Sequence, residues 1–242
     1  MLLAILDFEA TGTDVQTARI TEASVILWDS SQKRIVEASS WLVKPEGYAD
    51  IDPIVSALTG VSYEFLTKYG TRASVVLPNV HAMCFRADYV VGHNIRRYDI
   101  PLFINELARD NPLLEYRFKP IVDTRFDIDY PEHIDTRKLG YLAQEHGIYA
   151  PHAHAAMFDC ITTLELLKKY DLAEVIYNST IPRIYVRADV KFEQKDLAKE
   201  QKYHWDGASK VWWKEIKQTD YEKEKSKCKF PVIVLKDYKP PT

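Results

Sequence analysis

The chain has 242 residues, 46% hydrophobic and 28% charged, with 35 acidic against 32 basic side chains and a net charge of −3. This is ordinary globular composition for one or two domains, and it excludes a disordered or fibrous chain. The apolar N-terminal run stops at Asp7, with no basic stretch before it and no small-residue cleavage site after it. No segment reaches the ~20 apolar residues that a bilayer demands. A cytoplasmic location without membrane contact is therefore expected. The three cysteines, Cys84, Cys160 and Cys228, are odd in number, widely spaced and outside any CxxC pair, as in reduced intracellular thiols. Charge is unevenly shared. From residue 183 onward there are 15 Lys and Arg against 10 Asp and Glu, and before it 17 against 25. A basic C-terminal part on an acidic front part suits a polyanionic partner.

In chain order, residues 2–8, 20–28 and 34–43 are β-branched or aromatic runs that predict three strands, close enough for an antiparallel meander. Lys44-Pro45-Glu46-Gly47 is turn chemistry. A short helix over residues 52–59 would stop at Gly60. Residues 73–87 place Val76, Val80, Met83 and Cys84 at helical spacing. Residues 88–92 read as a short buried strand and 99–109 as a helix with Pro101 in its first turn. Two amphipathic helices follow at 136–146, stopped by Gly147, and at 155–170. Three strands, helices, a strand and more helices make a mixed α/β domain over residues 1–177. Residues 178–182 read as a linker. A second, basic and aromatic module spans residues 183–242 and holds three of the five tryptophans. It contains a strand at 184–188, a helix at 193–202, a hairpin over 203–216 turning at Asp206-Gly207, and a last strand at 230–235.

Asp7 and Glu9 stand two apart at the end of the first strand, so both point to one face. Two like charges on a buried strand are costly unless an arginine or a divalent cation neutralises them. Oxygen donors of this kind suit Mg²⁺ or Mn²⁺. Two further acids fall at element ends. Asp99 closes Gly92-His93-Asn94-Ile95-Arg96-Arg97-Tyr98-Asp99 at a strand-to-helix junction. Asp159 lies in the first turns of a helix, five residues after His154.

These residues resemble the three motifs of the DnaQ-like, or DEDDh, exonucleases. Asp7-Phe8-Glu9-Ala10-Thr11-Gly12 is similar to the first, the run from Gly92 through Pro101 to the second, and His154 to Asp159 to the third. The resemblance covers about residues 1–170, including Leu42 to Pro45 and the segment around Asp123-Thr124. The interval from His93 to Asp99 is one residue longer than the commonest pattern and looks like the mammalian three-prime repair exonucleases.

The resemblance implies an α/β, ribonuclease H-like fold: a mixed sheet flanked by helices, here with a small α+β C-terminal module. It implies hydrolysis of 3′ ends with two Mg²⁺ or Mn²⁺ ions. Asp7 would bridge them, Glu9 and Asp159 would complete the first site, and Asp99 would support the second through water. His154 would take the proton of the attacking water. His152 lies nearby, but the five-residue step to Asp159 favours His154. Two cations about 3.5–4 Å apart can clamp both the attacking and the leaving oxygen, and a neutral imidazole accepts a proton near pH 7.

Substrate contacts carry over as well. The backbone at Ala10 and Thr11 would receive the terminal 3′-hydroxyl. Leu58 and Tyr98 would wedge or stack the last base, and His93 and Asn94 would lie along the bound strand. Thr59 stands where many relatives have histidine. Arg96 and Arg97 could meet phosphates.

In the C-terminal module, lysines interleaved with Trp205, Trp212 and Trp213 suit a surface that tracks a backbone and stacks bases. The alternatives are a docking face for a polymerase or repair partner, and a small aromatic core. The stretch from Tyr185 to Trp213 is loosely similar to a module of unknown function appended to nucleic-acid enzymes. Alternation across Val211 to Lys214 would bury one tryptophan and expose the other. The expected substrate is a single-stranded 3′ end, with DNA favoured over RNA. An RNA-trimming enzyme with the same site is the alternative, and an inactive nucleic-acid-binding module the remote one. A homodimer is compatible with the family.

Overall fold

A computed structural model of the protein describes residues 1–47, 51–110, 117–152 and 154–239. It divides into two compact units, residues 1–179 and 180–242.

The first unit opens with the meander β1 (Leu2–Ala10), β2 (Ile20–Asp29) and β3 (Arg34–Lys44). Two short helices follow, α1 (Pro53–Thr59) and α2 (Tyr63–Tyr69), then the two-residue β4 (Thr71–Arg72) and α3 (Ala73–Arg86). Next come β5 (Tyr89–Gly92), α4 (Asp99–Asp110), β6 (Ile121–Asp123), α5 (Thr124–Asp127), α6 (Leu139–Glu145), α7 (Ala156–Leu167) and α8 (Leu172–Thr180). The six strands form one sheet in the order β4-β3-β2-β1-β5-β6. The meander is antiparallel, whereas β5 and β6 add in parallel on the far side of β1. β1 is thus an interior strand, which explains why its first residues are continuously apolar: both of its faces are covered.

The two faces receive different helices. Ala4, Leu6 and Phe8 pack with Val76, Leu77 and Val80 of α3 and with Leu102 and Phe103 of α4. Leu3 and Ile5 pack with Leu142 of α6 and with Cys160, Leu164 and Leu167 of α7. Strand alternation then sends Asp7 and Glu9 to the α7 face. α1 begins at an Asp52 cap that accepts from the Ile54 N–H at 2.7 Å, and Gly60 ends it at φ 73°. Among the described residues no helix is long and apolar enough to cross a membrane.

The second unit is a four-stranded antiparallel sheet, β10-β7-β9-β8, of β7 (Arg183–Ala188), β8 (His204–Asp206), β9 (Val211–Lys217) and β10 (Val232–Leu235). It carries α9 (Lys195–Glu200) and α10 (Tyr221–Lys227). Val186, Tyr203, Ile216 and Phe230 form its core.

The mixed α/β sheet flanked by helices agrees with the sequence reading, and each strand and long helix expected in the first unit is present. Three differences have physical causes. Residues 178–180, read as linker, continue α8, because Asn178 is buried and its amide donates to the Asp127 carbonyl at 3.0 Å. β6 and α5 escape a periodicity reading because each is too short to show a period. The charged stretch 217–229 holds α10, whose Glu224 is buried against the Lys214 ammonium at 2.7 Å.

Candidate active site

Asp7 and Glu9 leave β1 on the α7 face, and β2 brings a third acid to them. In the antiparallel register Glu9 lies directly opposite Glu22, and Asp7 opposite Ser24. The Ser40 hydroxyl donates to Glu22 Oε1 at 3.0 Å and fixes that carboxylate from β3. Asp159 sits in the first turn of α7, and His154 lies just before that helix. Ligand atoms of Glu9, His154 and Asp159 all fall within 4.8 Å of one another. His154 has φ 67°, a left-handed conformation uncommon outside glycine, Asn and Asp, and its N–H reaches Asp159 Oδ2 at 3.4 Å.

Asp99 arrives from the other side of the sheet. It opens α4, is buried, and accepts from the Phe8 N–H at 3.0 Å, between Asp7 and Glu9 in sequence. The loop that delivers it is tied down in detail. The buried Asp123 carboxylate accepts from the N–H groups of Asn94 at 2.9 Å, Arg96 at 3.1 Å and Arg125 at 3.1 Å. Asn94 can make this turn at φ 67° because asparagine tolerates the left-handed region. Gly92 is required for closeness: a Cβ there would lie 2.7 Å from Ile95 Cβ and 2.9 Å from the Leu6 carbonyl.

Electrostatics mark the cluster as unfinished by protein alone. Burial, then the charges of Asp99, Asp159, Glu9 and Glu22, push the Asp7 carboxyl well above its usual range. Burial and the Asp159, Glu22 and Asp99 charges push Glu9 up to about 8. Asp99 is pushed up to about 8 by burial, against the pull of its backbone hydrogen bonds. Burial also raises Asp159, with His154 opposing. No lysine or arginine pairs with Asp7, Glu9, Asp99 or Asp159 among the described residues. That removes arginine neutralisation, one of the two alternatives left open by the sequence. Hard carboxylate oxygens with one imidazole are a donor set that fits divalent cations.

The Thr11 N–H donates to the Arg19 carbonyl at 2.9 Å, and its hydroxyl accepts from the Arg19 N–H at 3.0 Å, so Thr11 and the buried Ala10 close the turn after β1. The Tyr98 hydroxyl donates to the Gly12 carbonyl at 2.6 Å, which sets its half-buried ring beside the same turn. Leu58 is exposed on α1. Both ring nitrogens of His93 are engaged, Nδ1 with the Thr124 hydroxyl at 2.9 Å and Nε2 with the Arg137 carbonyl at 2.7 Å; burial pushes this histidine down to about 4, so it is neutral. Arg96, read from the sequence as a possible phosphate contact, is engaged within the protein. Its guanidinium is drawn inward to the buried Asp127 at 2.8 Å and to the Ile121 carbonyl at 2.7 Å. Arg97 stacks over the Phe126 ring at 4.5 Å.

Sequence reasoning missed Glu22, because only the register of β1 on β2 sets it opposite Glu9. It also missed the Asp123–Asp127–Arg96 hold on the loop, whose members lie about 30 residues apart in the sequence.

The profile of the RNase T family, described as Exonuclease, matches residues 4–167. No curated protein sequence matches the chain at a significant level. Among solved structures the chain is similar to exonuclease I, from the study of how its processivity is achieved, at 20% identity and TM-score 0.61, over 77% of this chain and 48% of that one. The E. coli exonuclease I complex with a dT13 oligonucleotide gives 18% and 0.60, over 78% and 48%. The exonuclease I complex with SSB-Ct gives 17% and 0.58, over 88% and 51%. The chain thus spans about half the length of these proteins, and at such identities the likeness is one of fold. The family match covers more than half of the chain and encloses every acid of the cluster from Asp7 to Asp159: this chain belongs to the exonuclease family.

Proposed function

We propose that this protein is a metal-dependent 3′→5′ exonuclease that releases nucleoside monophosphates from single-stranded DNA 3′ ends. The observation that carries the reading is the convergence of Asp7, Glu9, Asp99 and Asp159 beside His154 without a basic side chain to neutralise them. Asp7 and Glu9 from β1, Asp159 from α7 and Asp99 from α4 would hold two Mg²⁺ or Mn²⁺ ions. When bound, such ions supply charge stabilisation for the attacked phosphate and acidify water.

The chain's own residues do the rest. His154, exposed just before α7, accepts a proton from the attacking water on a ring nitrogen, with the Asp159 carboxylate beside it. Glu22, oriented by the Ser40 hydroxyl, adds a further negative charge beside Glu9 and so strengthens the demand for a cation on that side of the cluster. Asp99 gains order from the Phe8 N–H, so that its carboxylate cannot swing away from β1. The exposed Leu58 and the ring of Tyr98 are offered to the terminal base, and the turn at Ala10 and Thr11 to the 3′-hydroxyl. DNA is favoured over RNA because the similar exonuclease I structures include complexes with dT13 and dA16 oligonucleotides.

The test is degradation of 5′-labelled single- and double-stranded DNA and RNA with Mg²⁺, Mn²⁺ or EDTA, with Asp7→Ala as control. The expected result is a metal-dependent ladder shortening from the 3′ end of single-stranded DNA and absent from the control. Preferential shortening of RNA would turn the assignment to an exoribonuclease. No cleavage with either metal would leave a binding module.

A further inference from the structure

The second unit carries a concavity that the hydrolytic reading does not use. A groove of about 480 Å³ is lined by the end of β7, the segment leading into α9, α9 itself, and the β8–β9 hairpin. That volume lies within the about 300–1,000 Å³ of small-ligand sites. Five cations line it, Arg187, Lys191, Lys195, Lys199 and Lys210, against the single acid Asp189. Arg187 meets Asp189 only at 3.9 Å, and Lys199 pairs with Asp196 at 3.1 Å. Lys191, Lys195 and Lys210 make no ion pair among the described residues.

Two of the three aromatics in the groove, Phe192 and Trp205, stand outside the unit's core, against which Trp212 packs. That core is built on Val186, Tyr203, Ile216 and Phe230, whereas Trp213, 8% exposed, packs with Tyr185 and Tyr238. Trp205 is 51% exposed and Phe192 76%, and both line the groove. Large rings left in water at a concave, cationic surface are a cost that folding alone does not explain. The Trp205 ring leans on Trp212, with centroids 5.4 Å apart, which holds its plane. Lys195 Nζ sits 4.3 Å from the Phe192 centroid, which places a cation beside a ring face.

We infer that this groove is a single-stranded nucleic-acid site, in which Trp205 stacks a base and Lys191, Lys195 and Lys210 take the phosphates flanking it. Free phosphate or an acidic peptide would use the lysines but has no planar group to cover the rings. A duplex would offer its phosphates but keeps its bases stacked on one another. A single strand alone presents alternating anions and open ring faces, the pairing that sequence-tolerant strand binders use. The inference rests on the nucleic-acid substrate proposed above but concerns binding, not cleavage.

The test uses the full chain carrying Asp7→Asn, so that the strand survives, and reads fluorescence anisotropy of a labelled single-stranded oligodeoxynucleotide. Trp205→Ala should weaken binding about tenfold, as loss of one stacked base does, and Trp205→Phe should restore most of it. Joint replacement of Lys191, Lys195 and Lys210 by Ala should weaken binding and flatten its salt dependence by about two units of slope, at about 0.7 per phosphate on a single strand. An abasic strand of equal length should bind the parent chain at least as weakly as the normal strand binds Trp205→Ala, because it also loses the terminal-base contacts at Leu58 and Tyr98. Melting temperatures of all variants should match the parent. Unchanged affinity in both Trp205→Ala and the triple variant overturns the inference, as does an abasic strand or poly-glutamate binding as tightly as DNA. Cleavage by the unsubstituted chain is measured alongside. Its absence would count against the hydrolytic reading while the binding data still judge the groove.

Discussion

Asp7 lies within the fields of Asp99, Asp159, Glu9 and Glu22, and no cationic side chain offsets them among the described residues. Its replacement by Asn should separate function from stability. Hydrolysis should fall by more than about 100-fold, the loss that even an outer partner of a metal ligand can cause. The metal-free protein should melt about 2–4 °C higher, since relief of about 1 kcal/mol of repulsion shifts a domain of this size by that much. Differential scanning fluorimetry in EDTA, beside the cleavage assay, reads both. A lower melting temperature would mean that Asp7 is held by favourable contacts instead.

Glu9 and Asp99 give the pH dependence its sign. Both are raised in the folded chain to about 8, from ordinary values of 4.5 and 3.8. The folded state therefore binds more protons than the unfolded state between those limits. The stabilising contribution is complete below about pH 4 and is lost as pH rises toward about 8. Mg²⁺ or Mn²⁺ should restore it by replacing the protons, so metal-induced stabilisation should grow from pH 5 to pH 8. Melting curves with and without metal at the two pH values check this. His154→Ala should lower kcat by about 10²–10⁴-fold, the usual contribution of a general base. It should leave most of the metal-induced rise in melting temperature, because the carboxylates remain.

At the scale of elements, the junction from β5 into α4 is what sets Asp99 against β1. The buried Asp127 holds Arg96, Asp123 holds three N–H groups of its neighbours, and Gly92 lets Ile95 and the Leu6 carbonyl approach. Arg96→Ala would take the guanidinium from the buried Asp127 carboxylate, which would keep the Asp123 N–H at 2.7 Å. We expect a loss of about 3 kcal/mol in urea unfolding, the lower end for breaking a buried pair, because the arginine is partly exposed. Cleavage should drop with it as the loop loses its hold. Preserved stability would show that the remaining contacts of Asp127, the Asp123 N–H among them, suffice without the guanidinium. None of this was legible in the motif itself. Arg96 and Arg97 are adjacent cations in the sequence and read alike, yet one faces a buried acid and the other a ring. Only the parallel pairing of β5 with β6, which brings Asp123 beside Gly92, decides between them.

At the scale of the whole molecule, the two units have separate cores and separate charge balances. A chain ending at residue 180 should keep hydrolysis of a dinucleotide-like substrate and bind longer strands more weakly. Unchanged strand affinity in the truncated chain would make the second unit irrelevant to substrate.

The amino-acid order by itself determined the strand meander and the helices that carry the acids, and it marked Asp7, Glu9, Asp99, His154 and Asp159 as the candidate site. Local alternation, caps and short motifs record such features within a few residues of one another. The α7 face was implicit there too, since alternation along β1 puts Asp7 and Glu9 together. Tertiary structure alone decided that Glu22 joins them, that Arg96 turns inward and that Trp205 stays outside the second core. Each of these depends on strand register or on contacts between distant segments, and such contacts leave no periodic trace in a single sequence.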